Sequence, residues 1–294
     1  ASLFVGLAVP GLAALCRPFL GEVIVILLSL AFLRVDPAEL RHHFTQPGLI
    51  AAATLWVMLL SPALLGLLFL ACGLDRQMPG LFFMLVLQMS APGLMSSPAL
   101  AALMGLDAAL TLASLMICTA VTPVTASLFS HFFLGNALAS PFGLGLKLFS
   151  IIAGSALAAA IIRRIAGRAW VEAQRERIDG LSVLAMFMFA VAAMDGVTAH
   201  FLEKPLLVAE LTALAFALAL GMIAVTTLIF LRAGRARALA IGLIAGNRNV
   251  GLMMAATGFM VPDIAWLYFG LAQFPIYLLP QLLKPLARRL QQGQ

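Results

Sequence analysis

The chain has 294 residues, of which 63% are hydrophobic and 10% are charged, and its formal net charge is +6. A soluble globular domain has roughly 45–50% apolar and about 25% charged residues, so this composition excludes a soluble protein and predicts an integral membrane protein. The apolar residues form recurring runs of about 20 residues, which favours membrane-spanning helices over a barrel or a single anchor. Because the positive charges stand in short loops, they indicate membrane orientation and not nucleic-acid binding.

Proline, glycine and charged residues divide the apolar sequence into about ten spans. The predicted spans are 2–15, 19–34, 48–72, 79–105, 107–133, 141–162, 179–199, 204–231, 236–260 and 263–284. No signal peptide is expected, because the first residues have no basic start and no cleavage site. The three cysteines, Cys16, Cys72 and Cys118, are widely spaced, so neither a metal site nor a disulfide framework is expected.

The fourth span of each half contains an interruption, and this match predicts two repeats. The first repeat covers 1–134 and the second covers 135–294. Since each repeat has an odd number of spans, the second must be inverted relative to the first, as in inverted-repeat secondary transporters. By the positive-inside rule, the basic loops after spans six and eight place both termini in the cytoplasm. We expect a multi-pass protein of the cell membrane, in the bacterial inner membrane.

The first interruption is Ser90-Ala91-Pro92-Gly93-Leu94-Met95-Ser96-Ser97-Pro98. Pro92 removes a backbone donor and clashes with the preceding turn, and Gly93 relaxes the backbone. Ser96 and Ser97 then open a second half-helix, whose N-terminus attracts anions. A simple proline kink without a functional role is the alternative interpretation.

The second interruption is Gly246-Asn247-Arg248-Asn249-Val250-Gly251, near the middle of an apolar segment. A charged side chain there costs on the order of 3 kcal/mol or more, so Arg248 predicts a polar cavity. The amides of Asn247 and Asn249 can replace lost backbone partners. The alternative is a structural ion pair of Arg248 with a buried acid such as Glu210 or Asp195.

A few further polar residues are candidates for the same cavity. Gln88 lies about a turn before the first interruption, and Gln273 could face the second. Thr111 and Ser114 could line the cavity, or they could hydrogen-bond back to their own helix. Glu210 could bind protons or pair with Arg248, or it could only cap a helix near the surface.

The two motifs and the hydroxyl-rich fifth span resemble the bile acid:sodium symporter family over essentially the whole chain. The resemblance implies ten helices in two inverted five-helix repeats. Spans 1, 2, 6 and 7 would form a panel domain, and spans 3–5 and 8–10 would form a core domain in which broken helices 4 and 9 cross. It also implies that the substrate sits between panel and core, and that relatives carry bile acids, pantoate, pyruvate and other organic anions, typically with sodium.

Several sodium ligands of the family are absent from this chain. Ile244 stands where sodium-coupled relatives have a glutamate, Arg248 stands in place of a glutamine, and Pro98 replaces an asparagine. Ser97 and Asn249 are retained. Our hypothesis is that Arg248 replaces the bound cation, because guanidinium stays ionised and matches carboxylate geometry. It would either hold the crossover together or bind an anionic substrate directly.

The sequence therefore predicts an all-α secondary transporter of a small organic anion, not an enzyme, without conventional sodium coupling. One alternative is a sodium-coupled organic anion symporter, and another is a sensor or assembly protein that has kept the fold without transport. An efflux carrier with crossover architecture is a weaker alternative. The expected partners are the substrate and the lipid bilayer, with no cofactor and no resident metal, and the choice between monomer and homodimer stays open.

Overall fold

The computed structural model describes residues 2–35, 46–135 and 140–292, and within these ranges the regular structure is entirely helical. Most of the polar loop predicted after the second span, and Asn136 at the predicted junction of the repeats, lie outside the described residues. Numbered in chain order, the helices are α1 Ser2–Ala8, α2 Pro10–Arg34, α3 Pro47–Ala71, α4 Leu74–Gln77, α5 Pro79–Ser90, α6 Ser97–Leu103, α7 Ala108–Leu134, α8 Pro141–Ala166, α9 Arg168–Ala173, α10 Arg175–Ala192, α11 Val197–Glu203, α12 Pro205–Ile229, α13 Arg235–Gly246, α14 Val250–Ala256, α15 Asp263–Leu271 and α16 Gln273–Gln292.

Six helical stretches of the described chain are long and apolar enough to cross a membrane. They are Pro10–Arg34, Pro47–Ala71, Ala108–Leu134, Pro141–Ala166, Arg175–Glu203 and Pro205–Ile229. This count is lower than the ten predicted spans because several predicted spans consist of shorter helical segments. The prediction of an all-helical chain compatible with a membrane protein is confirmed at this level.

Helices α5, α14 and α15 form the centre of the molecule. From Leu81 to Ser90 every residue of α5 except Gln88 is buried, and α15 is buried from Ala265 to Leu271. Because these residues are buried on every face of the two helices, other helices and not lipid surround them. The two chain interruptions adjoin α5 and α14, so they lie in the interior of the molecule.

Helix α2 packs against α8 and α10. The C-terminal end of α2 is held by Arg163 of α8, whose guanidinium donates to the main-chain carbonyls of Leu33 and Val35. A cationic side chain in this position satisfies carbonyls that have no partner within the helix.

Helices α12 and α13 pack closely because α13 carries two glycines four residues apart on the shared face. A Cβ on Gly242 would lie 2.8 Å from the carbonyl oxygen of Ile223, and a Cβ on Gly246 would lie 2.7 Å from that of Ala219. Glycines at this spacing let the backbones of two membrane helices approach each other.

We therefore expect Gly242→Ala to lower the free energy of unfolding by about 1–3 kcal/mol, because the added methyl group overpacks the contact between two backbones. Thermal unfolding of the purified protein in detergent measures the change. Gly221→Ala is the matched control on α12, where an added Cβ meets no atom within 4 Å. Equal melting temperatures for the two variants would contradict the close approach.

Candidate functional site

The two interruptions of the helical chain meet and are bonded to each other through their main chains. Between α5 and α6, residues 91–96 are not helical, and residues 247–249 separate α13 from α14. The amide of Leu94 donates to the carbonyl of Asn247, and the amide of Asn249 donates to the carbonyl of Pro92, each at 2.8 Å. Gly93 and Arg248 lie opposite each other in a short antiparallel bridge. Backbone groups that left their own helices are in this way partly satisfied by the other interruption.

Glycine is required at position 93 because the end of α13 lies against it. A Cβ there would lie 2.6 Å from Cγ2 of Ile244 and 3.3 Å from its carbonyl oxygen. A larger residue at position 93 would push the first interruption away from the end of α13.

A third irregularity lies beside them in α3, which contains a π-helical turn at Trp56–Leu60. The amide of Ser61 donates to the carbonyl of Trp56, five residues earlier, and not to that of Val57. In the same register the next donor for Val57 would be residue 62, which is a proline without an N–H. The carbonyl of Val57 is thus left without a main-chain donor.

Two further carbonyls lose their helical partners at the interruptions. In a regular helix the amide of Asn249 would donate to the carbonyl of Ala245, but it donates to Pro92. Ala91 follows the end of α5 with an extended backbone, at φ −70° and ψ 148°. A buried carbonyl without a donor costs about 1–3 kcal/mol, so these oxygens need another partner.

Arg248 supplies a partner for all three carbonyls, and the hydroxyl of Ser61 also donates to Val57, at 3.3 Å. Its Nε donates to Ala245 at 2.8 Å, and its Nη1 donates to Ala91 at 2.9 Å and to Val57 at 3.0 Å. Its Nη2 donates to the hydroxyl of Ser61 at 3.0 Å. A guanidinium has five N–H groups, so four of the five are used by the protein itself.

Neither acid proposed as an ion-pair partner reaches Arg248, so that alternative is wrong for both. Asp195 pairs with Arg17 at 2.8 Å, and Glu210 is exposed on α12. Among the described residues Arg248 forms no ion pair, although it is only 4% exposed. The charge is stabilised by oriented carbonyl dipoles, which is also how ion-selective filters hold a cation.

A cavity of about 300 Å³ borders the crossing of the two interruptions. Helices α2 and α10 form one wall, and the interruptions together with α16 form the other. Its inner end lies near Gly251, where an added Cβ would touch the ring of Phe189 and approach Ile24. Its other end lies at Arg34 and Gln281. The wall between is mainly apolar.

Four of the predicted site residues line this cavity: Ser96, Arg248, Asn249 and Gln273. Gln273 also donates to the carbonyl of Phe269 at 3.0 Å, and the amide oxygen of Asn249 caps α14 by accepting from Leu252. They form a polar inner end to an otherwise apolar space.

The other predicted site residues lie outside the cavity. Pro92 and Gly93 are buried in the crossing, and Thr111 donates back to the carbonyl of Asp107 at 2.7 Å, within its own helix. Glu210 faces away on an exposed surface. Four of these predicted residues, Gln88, Ser97, Ser114 and Asn247, have buried polar atoms without a hydrogen-bond partner in the described part of the chain. Gln88 lies with Arg248 beside a second, much smaller cavity of about 20 Å³.

The sequence analysis did not identify the oxygen atoms that surround Arg248, nor Arg34 as a cavity residue. Main-chain carbonyls have no sequence signature, but Ser61-Pro62 within an apolar span is the same kind of signal that identified Pro92. Arg34 ends the second predicted span, and a positive charge beside a short loop indicates only membrane orientation.

An aromatic and ionic cluster surrounds Arg17, in the N-terminal half of α2. The guanidinium of Arg17 lies 4.1 Å from the ring centroid of Trp266 and forms the ion pair with Asp195. The indole Nε1 of Trp266 donates to the carbonyl of Asp195 at 2.8 Å. These contacts join α2, the end of α10, and α15.

Comparison of the sequence with models of protein families finds none that matches, and comparison with curated proteins finds none that is significantly similar.

We expect Arg248→Ala to lower the free energy of unfolding by roughly 3 kcal/mol or more, because it leaves the buried carbonyls of Ala91 and Ala245 without a donor and that of Val57 with only the Ser61 hydroxyl, at 3.3 Å. Thermal unfolding in detergent measures the change, with the exposed Arg232→Ala as the control. Millimolar guanidinium chloride should raise the melting temperature of Arg248→Ala and leave that of the wild type unchanged. Equal melting temperatures for the two alanine variants would show that the carbonyls do not depend on Arg248.

Proposed function

We propose that the chain is a secondary transporter of small organic anions, with the fold of the bile acid:sodium symporter family. The proposal includes ten spans in two inverted repeats, 1–134 and 135–294, and crossing of broken helices 4 and 9 at the two interruptions. The apolar helical stretches and the bonded interruptions support it. In transporters built from inverted repeats, such discontinuous helices form the substrate site near the middle of the bilayer.

The proposal rests above all on Arg248, whose guanidinium is bound by oxygen atoms at the crossing of the interruptions and borders the cavity. Its position fits a fixed cation that is part of the protein. Because four of its N–H groups bind the protein itself, holding the crossover together is the role that the contacts favour over direct binding of substrate.

The residues around Arg248 do not fit a bound sodium ion. Hard cations require oxygen ligands, and the carbonyls of Val57, Ala91 and Ala245 already accept from the guanidinium. A second positive charge at that position would be repelled. Transport without sodium is therefore the mechanism we propose: uniport, exchange or proton coupling through a carboxylate of the substrate.

An anion in the cavity would be attracted by Arg248 without touching its guanidinium. No described acid pairs with this buried charge, and its field acts through a wall of low dielectric constant. Ser96, Asn249 and Gln273 offer polar groups at the inner end. The mainly apolar wall fits an anion with an apolar body.

The cavity extends to the end of α2 that carries Arg34, while the contacts among Arg17, Trp266 and Asp195 join α2 to α15 and the end of α10 on the other side of Ile24. Under the proposed orientation the Arg34 end is cytoplasmic, since the basic segment after α8 lies at that end. The conformation is then inward-facing. For outward opening, the panel (spans 1, 2, 6 and 7) and the core (spans 3–5 and 8–10) would separate at the Arg17 cluster.

A sodium-coupled mechanism is the second candidate, and one observation favours it. The hydroxyl oxygens of Ser97 and Ser114 are buried without a hydrogen-bond partner in the described part of the chain, and such oxygens can be ligands of a hard cation.

Counterflow in proteoliposomes tests the proposal. Proteoliposomes that contain the purified protein are loaded separately with unlabelled taurocholate, pantoate, pyruvate or 2-naphthoate. Uptake of the same anion in labelled form is then measured in sodium and in choline buffers. We expect at least one anion to exchange at equal rates in both buffers, since no ion has to bind at the crossover. Arg232→Ala should match the wild type, and Arg248→Ala should lose exchange in both.

Exchange that requires sodium would assign the protein to the sodium-coupled candidate. Stabilisation by an anion without any exchange would favour a sensor that has kept the fold. If Arg248→Ala transported like the wild type, with the same ion dependence, the role given to Arg248 would be wrong.

A further inference from the structure

Two cationic side chains border the cavity among the described residues, Arg34 and Arg248. The guanidinium of Arg248 has four of its five N–H groups bound to the protein, and its side chain is almost completely buried. It therefore has little capacity left for a carboxylate. A bidentate contact, in which two parallel N–H groups bind one carboxylate, is not open to it.

Arg34 differs in each of these respects. It is the last residue of α2, ten residues after Ile24, and so lies about 15 Å along the helix from the inner end of the cavity. Its side chain is 41% exposed, and its Nη2 lies 2.7 Å from Oδ1 of Asp179 on α10, which is 51% exposed. In the described structure this pair uses one edge of the guanidinium.

We propose that Arg34 is the residue that binds the anionic group of the substrate at the cavity mouth, and that Asp179 competes with the substrate for it. This inference rests on the proposed function of the cavity as a site for organic anions. Arg34 exchanges one carboxylate for another, and so its charge is never left without a counterion. An exposed ion pair contributes little to stability, which makes such an exchange easy.

The position of Arg34 agrees with the rest of the cavity. From Ile24 to Ala31 the wall formed by α2 is apolar, and Met186 and Phe189 face it from α10. A substrate with its carboxylate at Arg34 would lay its apolar body along this wall, toward the polar inner end. Arg34 would then select for a negative charge at one end of the molecule, and the wall would select for the body.

The main chain around Arg34 is held independently of its side chain. Arg163 donates to the carbonyls of Leu33 and Val35, on both sides of Arg34, and this contact does not involve Asp179. Substitution of Arg34 or Asp179 should therefore leave the end of α2 in place. Variants at both positions can be compared in folded protein.

The test compares binding of 2-naphthoate to the wild type, Arg34→Gln, Asp179→Asn and the double variant by isothermal titration calorimetry in detergent. Arg34→Gln should raise the dissociation constant about tenfold or more, because a charge-assisted contact is lost. Asp179→Asn should lower it several-fold, because the competing carboxylate is gone. The double variant should resemble Arg34→Gln. The dissociation constant of neutral 2-naphthamide, which has the same shape, should be unchanged in all three variants.

A purely structural ion pair would give a different pattern, since either single variant breaks it. Equal weakening by Arg34→Gln and Asp179→Asn would overturn the inference, and so would unchanged binding in both. In these two cases the wild type still binds 2-naphthoate, and the proposed function stands. If the wild type binds neither 2-naphthoate nor any anion of the counterflow set, the proposed function fails and the inference fails with it.

Discussion

The hydrogen bonds from Arg248 to three main-chain carbonyls are the interaction on which the centre of this molecule depends. Each of those oxygens lost its helical donor for a separate reason: Pro62 in α3, the end of α5, and the redirected amide of Asn249. Without Arg248, the carbonyls of Ala91 and Ala245 would be buried and unsatisfied, and that of Val57 would keep only the Ser61 hydroxyl as a donor. One guanidinium binds all three carbonyls. Each of the three irregular segments therefore depends on the other two to hold Arg248 in place.

The crossing also forms part of the wall of the cavity. Since the two interruptions are bonded to each other, they form a continuous wall, and Arg248 lies largely behind it. The face turned toward α2 and α10 presents Ser96, Asn249 and the start of α14. Arg248 thus borders the cavity, but most of its N–H groups are directed toward the protein. Under the proposed function, the field in the cavity and the contacts to an anion would therefore come mainly from different residues.

The positions of the interruptions could be predicted from the sequence because proline, glycine and a charged residue in apolar segments each have a direct structural consequence. The partners of Arg248 could not, since main-chain oxygens have no residue type. The face of a long apolar helix was equally hard to assign. Glu210 and Thr111 were both candidates for the cavity, but the first is exposed and the second bonds to its own helix. A lone polar residue in an apolar helix gives no periodicity from which its direction can be obtained.

A cation held by main-chain oxygens has a consequence for sequence variation. Val57, Ala91 and Ala245 contribute atoms that every amino acid possesses, so their side chains can change without altering the ligands of Arg248. What has to be preserved is the path of the backbone, through Pro62, Pro92 and Gly93. Related chains with the same arrangement would therefore share an arginine, two prolines and a glycine, and could differ at every residue whose main-chain oxygen binds the guanidinium.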